Sequence, residues 1–159
     1  MALYLFLTFA TLVGVALALA WWKGGAPERI AAGMFLIAWQ VSIATDSPFP
    51  IRYRGVQLNY LLIDLALLIG LLLLARAANR RWTVLATSLQ GLIVLAHLAR
   101  AVSPHQWAIV YMIMTAFWPY LQLLVLIAGT VTHWRRRTVL GTVPSWSSFS
   151  RAAVRRTPD

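Results

Sequence analysis

Five stretches of this chain are apolar over a length that crosses, or nearly crosses, a lipid bilayer, and this one property decides its solvent. A helix rises about 1.5 Å per residue, so roughly 30 Å of hydrocarbon needs about 20 apolar residues. Residues 2–22 contain no charge and end on Trp21 and Trp22 beside Lys23, an interfacial anchor. Ala16, Ala18 and Ala20 resemble the cleavage site of a secretory signal. No basic residue precedes the run, however, and it is too long for the apolar part of a signal peptide, so a retained span is expected.

Residues 30–45 form the shortest run. At about 24 Å the alternative there is a re-entrant or interfacial helix. A loop with Pro48 and Pro50 follows, its Phe49 and Tyr53 suited to the headgroup layer. Residues 58–75 hold Asp64, and residues 82–99 come after a basic turn with Arg76, Arg80 and Arg81, so these two segments form a hairpin. Residues 108–132 are long enough to tilt, or to bend at Pro119.

The expected fold is therefore all-α: a polytopic integral membrane helical bundle of about five transmembrane helices, or four plus one re-entrant helix. Residues 1–134 make the bundle. Residues 135–159 are a basic cytoplasmic tail in which Trp146, Phe149 and Ala153 fall at helical spacing, as a short interfacial helix or a disordered segment would have them.

Composition agrees, with 60% hydrophobic and 11% charged residues and a mean hydropathy of +0.72. The net charge of +10 sits mostly beside apolar runs, where anionic lipid is a nearer partner than nucleic acid, and no nucleic acid is expected. Arg76, Arg80, Arg81, Arg135, Arg136, Arg137, Arg151, Arg155 and Arg156 are the candidate headgroup contacts. With five spans, eleven basic residues share a side with the end of the chain and three, Arg52, Arg54 and Arg100, lie opposite. The positive-inside rule then puts the N-terminus outside and the C-terminus in the cytoplasm of an inner, plasma membrane. Arg in place of Lys almost throughout points to a GC-rich, bacterial genome.

The absence of Cys excludes disulfides, thiolate metal sites and cysteine nucleophiles. No P-loop, nucleophile elbow or H-E-x-x-H occurs, and four acidic residues leave little for acid–base catalysis. His97, His105 and His133 supply no pair at one depth for a bis-His haem, so neither cofactor nor metal is expected; a single ligand role for His97 stays open. Trp21, Trp22, Trp82, Trp107 and Trp134 sit at span ends and read as an aromatic belt.

Polar groups inside a bilayer are costly and should face the bundle interior. Thr83, Thr87, Gln90 and His97 share one face of the fourth segment, and Tyr111, Thr115, Trp118 and Gln122 one face of the fifth. Tyr60 and Asp64 are a turn apart on the third, Tyr4, Thr8 and Thr11 align on the first, and Gly33 and Gln40 on the second. Counted from the outer ends, Asp64 lies about 10 Å deep, His97 and Tyr111 about 5 Å, Gln40 about 8 Å and Thr115 about 11 Å. The candidate cluster is therefore Asp64, His97, Tyr111, Tyr60, Thr115, Gln40, Gln90, Gln122 and Arg100, with His97, Tyr111 and Arg100, in that order, as partners of Asp64.

Little mass lies outside the membrane. That favours a non-enzymatic integral membrane subunit or accessory protein, packing with itself or with other subunits of an inner-membrane complex, with membrane lipids as its other partners. The alternative is a small oligomeric transporter or ion- or proton-conducting unit using Asp64. An enzyme acting on lipid or quinone would need a pocket lined by His97 and Asp64.

Overall fold

The computed structural model describes residues 2–45, 57–78, 80–103, 108–141 and 146. Every element among them is helical: α1 (Ala2–Lys23), α2 (Ala26–Ala44), α3 (Leu58–Ala78), α4 (Arg81–Val102), α5 (Ala108–Ala116) and α6 (Trp118–Leu140). Four helices are long and apolar enough to cross a membrane: α1, α3, α4 and the α5–α6 rod.

The fifth rod, α2, is set apart by composition. Gly24 and Gly25 end α1, and Pro27 sits in the first turn of α2, where its missing N–H costs nothing. Glu28 reaches back to accept from the Gly25 N–H at 3.0 Å. The cap draws Glu28 and Arg29 into the helix, so α2 starts four residues before the expected Ile30. Its 19 residues cover about 28 Å, close to the hydrocarbon thickness.

The rods close into a ring. α1 packs on α2 and α6, α3 on α2 and α4, and α4 on α6. Two-residue connections make α1–α2 and α3–α4 antiparallel hairpins, which is why Phe9 of α1 meets Trp39 of α2. α1 and α6 run parallel: the Tyr120 hydroxyl donates to Leu5 O at 2.9 Å at one end, and Lys23 lies over the Trp134 ring at the other. The start of α1 and the end of α6 thus lie at opposite ends of the bundle. Small side chains let the backbones approach, with Ala16 and Ala20 of α1 and Ala31 and Ala32 of α2 all buried beside Leu71 and Leu126.

The expected bend at Pro119 is a break at Phe117. Proline offers no N–H to the Thr115 carbonyl, and the chain bridges the gap with a short turn in which Tyr120 N–H donates to Phe117 O at 3.2 Å. α6 then runs past the expected end at Thr132. Trp134 to Arg137 contain no helix breaker, and the helix stops at Gly141, where φ is +76°.

One stripe is oriented against expectation. Tyr4, Thr8 and Thr11 of α1 are exposed on the outside of the bundle. The two threonines donate to their own helix, to Tyr4 O at 2.7 Å and Leu7 O at 2.8 Å, so neither needs an interhelical partner. The proposed interfacial helix of the tail falls outside the described residues, apart from Trp146, as do Arg151, Arg155, Arg156 and Trp107.

Candidate functional site: a cavity-facing carboxylate

Asp64 projects from the first half of α3 toward α4, and its direct partners among the described residues are Gln90 and His97. Gln90 Nε2 donates to Asp64 Oδ1 at 2.9 Å and to the Asp64 carbonyl at 3.0 Å. His97 Nε2 lies 3.0 Å from Oδ2. The seven-residue spacing of Gln90 and His97 puts both on the face of α4 that meets α3.

Tyr111 of α5 enters through His97, its hydroxyl 2.6 Å from Nδ1. Arg100, buried, sets its guanidinium 5.8 Å from the centre of the Tyr111 ring. Gln122 of α6 completes the cluster, donating from Nε2 to Gln90 Oε1 at 2.8 Å and to Ala86 O at 3.2 Å.

Backbone carbonyls set the direction of these bonds, since they only accept. Gln122 Nε2 must donate to Ala86 O, so it also donates to Gln90 Oε1, and Gln90 Nε2 in turn donates to Asp64. With the carboxylate ionised, the second branch runs the same way: Tyr111 O–H to Nδ1, then Nε2–H to Oδ2. Both branches terminate on Asp64. They take two of its roughly four lone-pair positions, which leaves capacity for another donor.

The open side of Asp64 faces a cavity. His97 is 2% exposed in its side chain whereas Asp64 keeps 21%. The space has a volume of about 640 Å³, within the range of small-molecule sites, and every rod contributes to its wall. Its body is apolar and aromatic, with Phe6 and Phe9 from α1, Phe35 and Trp39 from α2, and Phe117 and Tyr120 from the broken α5–α6 rod. Asp64, Gln90, His97, Tyr111 and Gln122 supply its polar groups, joined by Tyr60 and Thr115. The Thr115 hydroxyl donates to Tyr111 O at 2.9 Å, within its own helix.

Gln40 does not belong to this cluster. α2 turns Ala31, Ala32 and Phe35 inward, and a residue five positions past Phe35 is rotated by about 140°, onto the exposed surface. No other His, Cys, Asp or Glu joins Asp64 and His97 to make a group of three among the described residues.

A second carboxylate, fully buried, escapes a reading of the sequence. Glu28 is 0% exposed at the opposite end of the bundle. Besides Gly25, it accepts from Trp82 Nε1 at 3.0 Å and faces Arg80 Nε at 3.6 Å, while Arg80 Nη1 donates to His133 Nδ1 at 2.8 Å. Arg80 is therefore an internal counter-ion rather than a headgroup contact, and Trp82 is part of the core rather than of the belt. The available signal was the run Gly25-Ala26-Pro27-Glu28, which places an acid on the third residue of a helix. Arg76, Arg81, Arg135, Arg136 and Arg137 are exposed, and so are Trp21, Trp22 and Trp134.

Fold and site together define a class: an all-helical, multi-pass bundle with a half-open, largely apolar cavity that has one carboxylate in its wall. The chain matches no family model, no curated protein and no solved structure, so a functional reading has to come from this geometry.

Proposed function

We propose that this protein binds a lipophilic small molecule within the membrane, and that Asp64 recognises its head group. The carrying observation is the union of an aromatic cavity of about 640 Å³ with a carboxylate that still has lone pairs to offer. Since the cluster spends its donors on Asp64, the matching ligand presents a donor of its own, a hydroxyl or an amine, on an apolar body. The test is mild detergent extraction followed by mass spectrometry of retained small molecules. Wild type should carry one per chain, and Ala116→Trp, which fills the cavity from its wall, should carry none. Equal retention by the two, or none by either, would overturn the reading.

The setting we propose is a bacterial inner membrane, with the start of α1 outside and the end of α6 in the cytoplasm. The exposed cations Lys23, Arg76, Arg81 and Arg135 to Arg137 gather at the α6 end of the bundle, as positive-inside orientation favours. Reporter fusions finding both chain ends in one compartment would refute it.

One observation favours an additional role as a subunit. Gln40 is exposed with no hydrogen-bond partner among the described residues, and Gly33, two turns earlier, has open space where a side chain would be. An amide and a small residue on one face of a helix, two turns apart, suit contact with a second membrane helix. A Gln40→Leu variant that keeps every co-purifying chain of the wild type would remove this support.

A further inference from the structure

At the end of the bundle opposite the Asp64 cavity, α1 and the end of α6 flank a second, smaller and open concavity of about 290 Å³. Trp22, Lys23, Trp134, Arg137, Thr138 and Gly141 line it. Lys23 Nζ stands 4.8 Å from the centre of the Trp134 ring, a cation–π contact that holds the ammonium at the pocket wall. Two cations from different helices thus share one small space.

Neither has an ion-pair partner among the described residues. Glu28 is fully buried and committed to Gly25, Trp82 and Arg80, and Asp64 lies at the other end. Convergent like charges repel, and an anion seated between them would relieve the repulsion. Thr138 spends its hydroxyl proton on Arg135 O at 2.8 Å, so recognition falls to the two cations.

Position identifies the anion. Trp22 and Trp134 are exposed, 76% and 40%, at the ends of apolar rods, where indole rings settle at the headgroup level. The anion concentrated in that layer is the phosphodiester of an anionic phospholipid. We infer that this pocket is a discrete binding site for one anionic phospholipid, whose phosphate lies between Lys23 and Arg137. The site is independent of the Asp64 cavity and stands or falls without it.

Native mass spectrometry tests it on the full chain released from phosphatidylcholine nanodiscs containing a minority of phosphatidylglycerol. Wild type should retain one phosphatidylglycerol. The doubly substituted Lys23→Gln/Arg137→Gln chain should bind it roughly thirty-fold more weakly, from about 1 kcal/mol per basic residue, and Lys23→Arg should keep it. Arg76→Gln/Arg81→Gln removes the same charge from exposed positions at the same end and should leave retention unchanged. Equal loss in the two double variants would mean diffuse attraction and overturn the site. No loss in the first would do the same, as would displacement of the lipid by inorganic phosphate, which would make the pocket a simple anion site. All the substituted side chains are exposed, and unchanged helicity of each variant confirms that folding is not what is being read.

Discussion

Glu28 and Asp64 are both carboxylates held between helices, yet Glu28 has no exposed surface and Asp64 keeps 21% of its side chain open to a cavity. The partners differ in kind. Glu28 faces an arginine and accepts from an indole and a backbone N–H, so its charge is compensated where it is buried. Asp64 accepts from an amide and is hydrogen-bonded to an imidazole, and no Lys or Arg among the described residues is bonded to it directly. One acid joins the α1–α2 turn to the α3–α4 turn and, through Arg80 and His133, to α6. The other joins α3 to α4 but keeps capacity in reserve. Burial with full compensation is a structural device; burial with spare lone pairs facing a void suits recognition.

The largest effect should come from breaking the closed end. In Glu28→Gln the amide has one oxygen where the carboxylate had two. Either Trp82 Nε1 or the Gly25 N–H then faces an NH2 group, and Arg80 loses its counter-charge. Removing one partner of a buried pair costs about 3–5 kcal/mol, and unfolding in detergent should show a loss of that order. Retention of the small molecule per folded chain should not change. A cost below about 1 kcal/mol would mean that water reaches Glu28, and the contrast between the two ends would fail.

A smaller effect sharpens the same contrast. A side-chain carbon at Gly129 would land within the Trp82 indole, so Gly129→Ala must push that ring off Glu28. Overpacking of this kind costs about 1–3 kcal/mol, and combined with Glu28→Gln the two losses should fall short of additive. Gly91 of α4, beside Gln90, has open space where a methyl group would sit, and Gly91→Ala should be neutral or stabilise by up to about 1 kcal/mol. Chemical unfolding of the single and double variants measures both. Full additivity would deny that Trp82 connects Gly129 to Glu28.

Much of the Asp64 end was legible because a helix rises by a constant amount and the α3–α4 turn is tight. The rise along each helix put Asp64, His97 and Tyr111 in the same half of the bundle, and seven-residue spacing aligned Gln90 with His97. Gln40 and the threonines of α1 misled because a stripe on one helix does not say which way it faces, and a threonine can satisfy itself on its own carbonyl. Glu28 stayed hidden because an acid at the edge of an apolar run reads as loop, and its partners Arg80, Trp82 and His133 are distant in sequence. The cavity itself has no local signature. It arises where five rods close a ring around the break at Phe117, which depends on packing that no single segment encodes.

The smallest stability effect belongs to the open end. Asp64→Asn keeps the shape and keeps an oxygen for Gln90. Its Nδ2 replaces the oxygen that faced His97, and the imidazole can answer by changing tautomer, accepting at Nε2 and donating from Nδ1 to the Tyr111 oxygen. Each bond reverses and none need be lost, so unfolding should shift by less than about 1 kcal/mol. Ligand retention should respond differently, because the cavity now meets N–H where it met lone pairs. A hydrogen bond to a charged group contributes about 1.5–3 kcal/mol, so a ligand with a hydroxyl or amine head should bind roughly ten- to a hundred-fold more weakly. Titration of the ligand recovered from wild type measures it. Undiminished binding would show that Asp64 is not the acceptor for the head group, and a stability loss matching that of Glu28→Gln would make both acids structural.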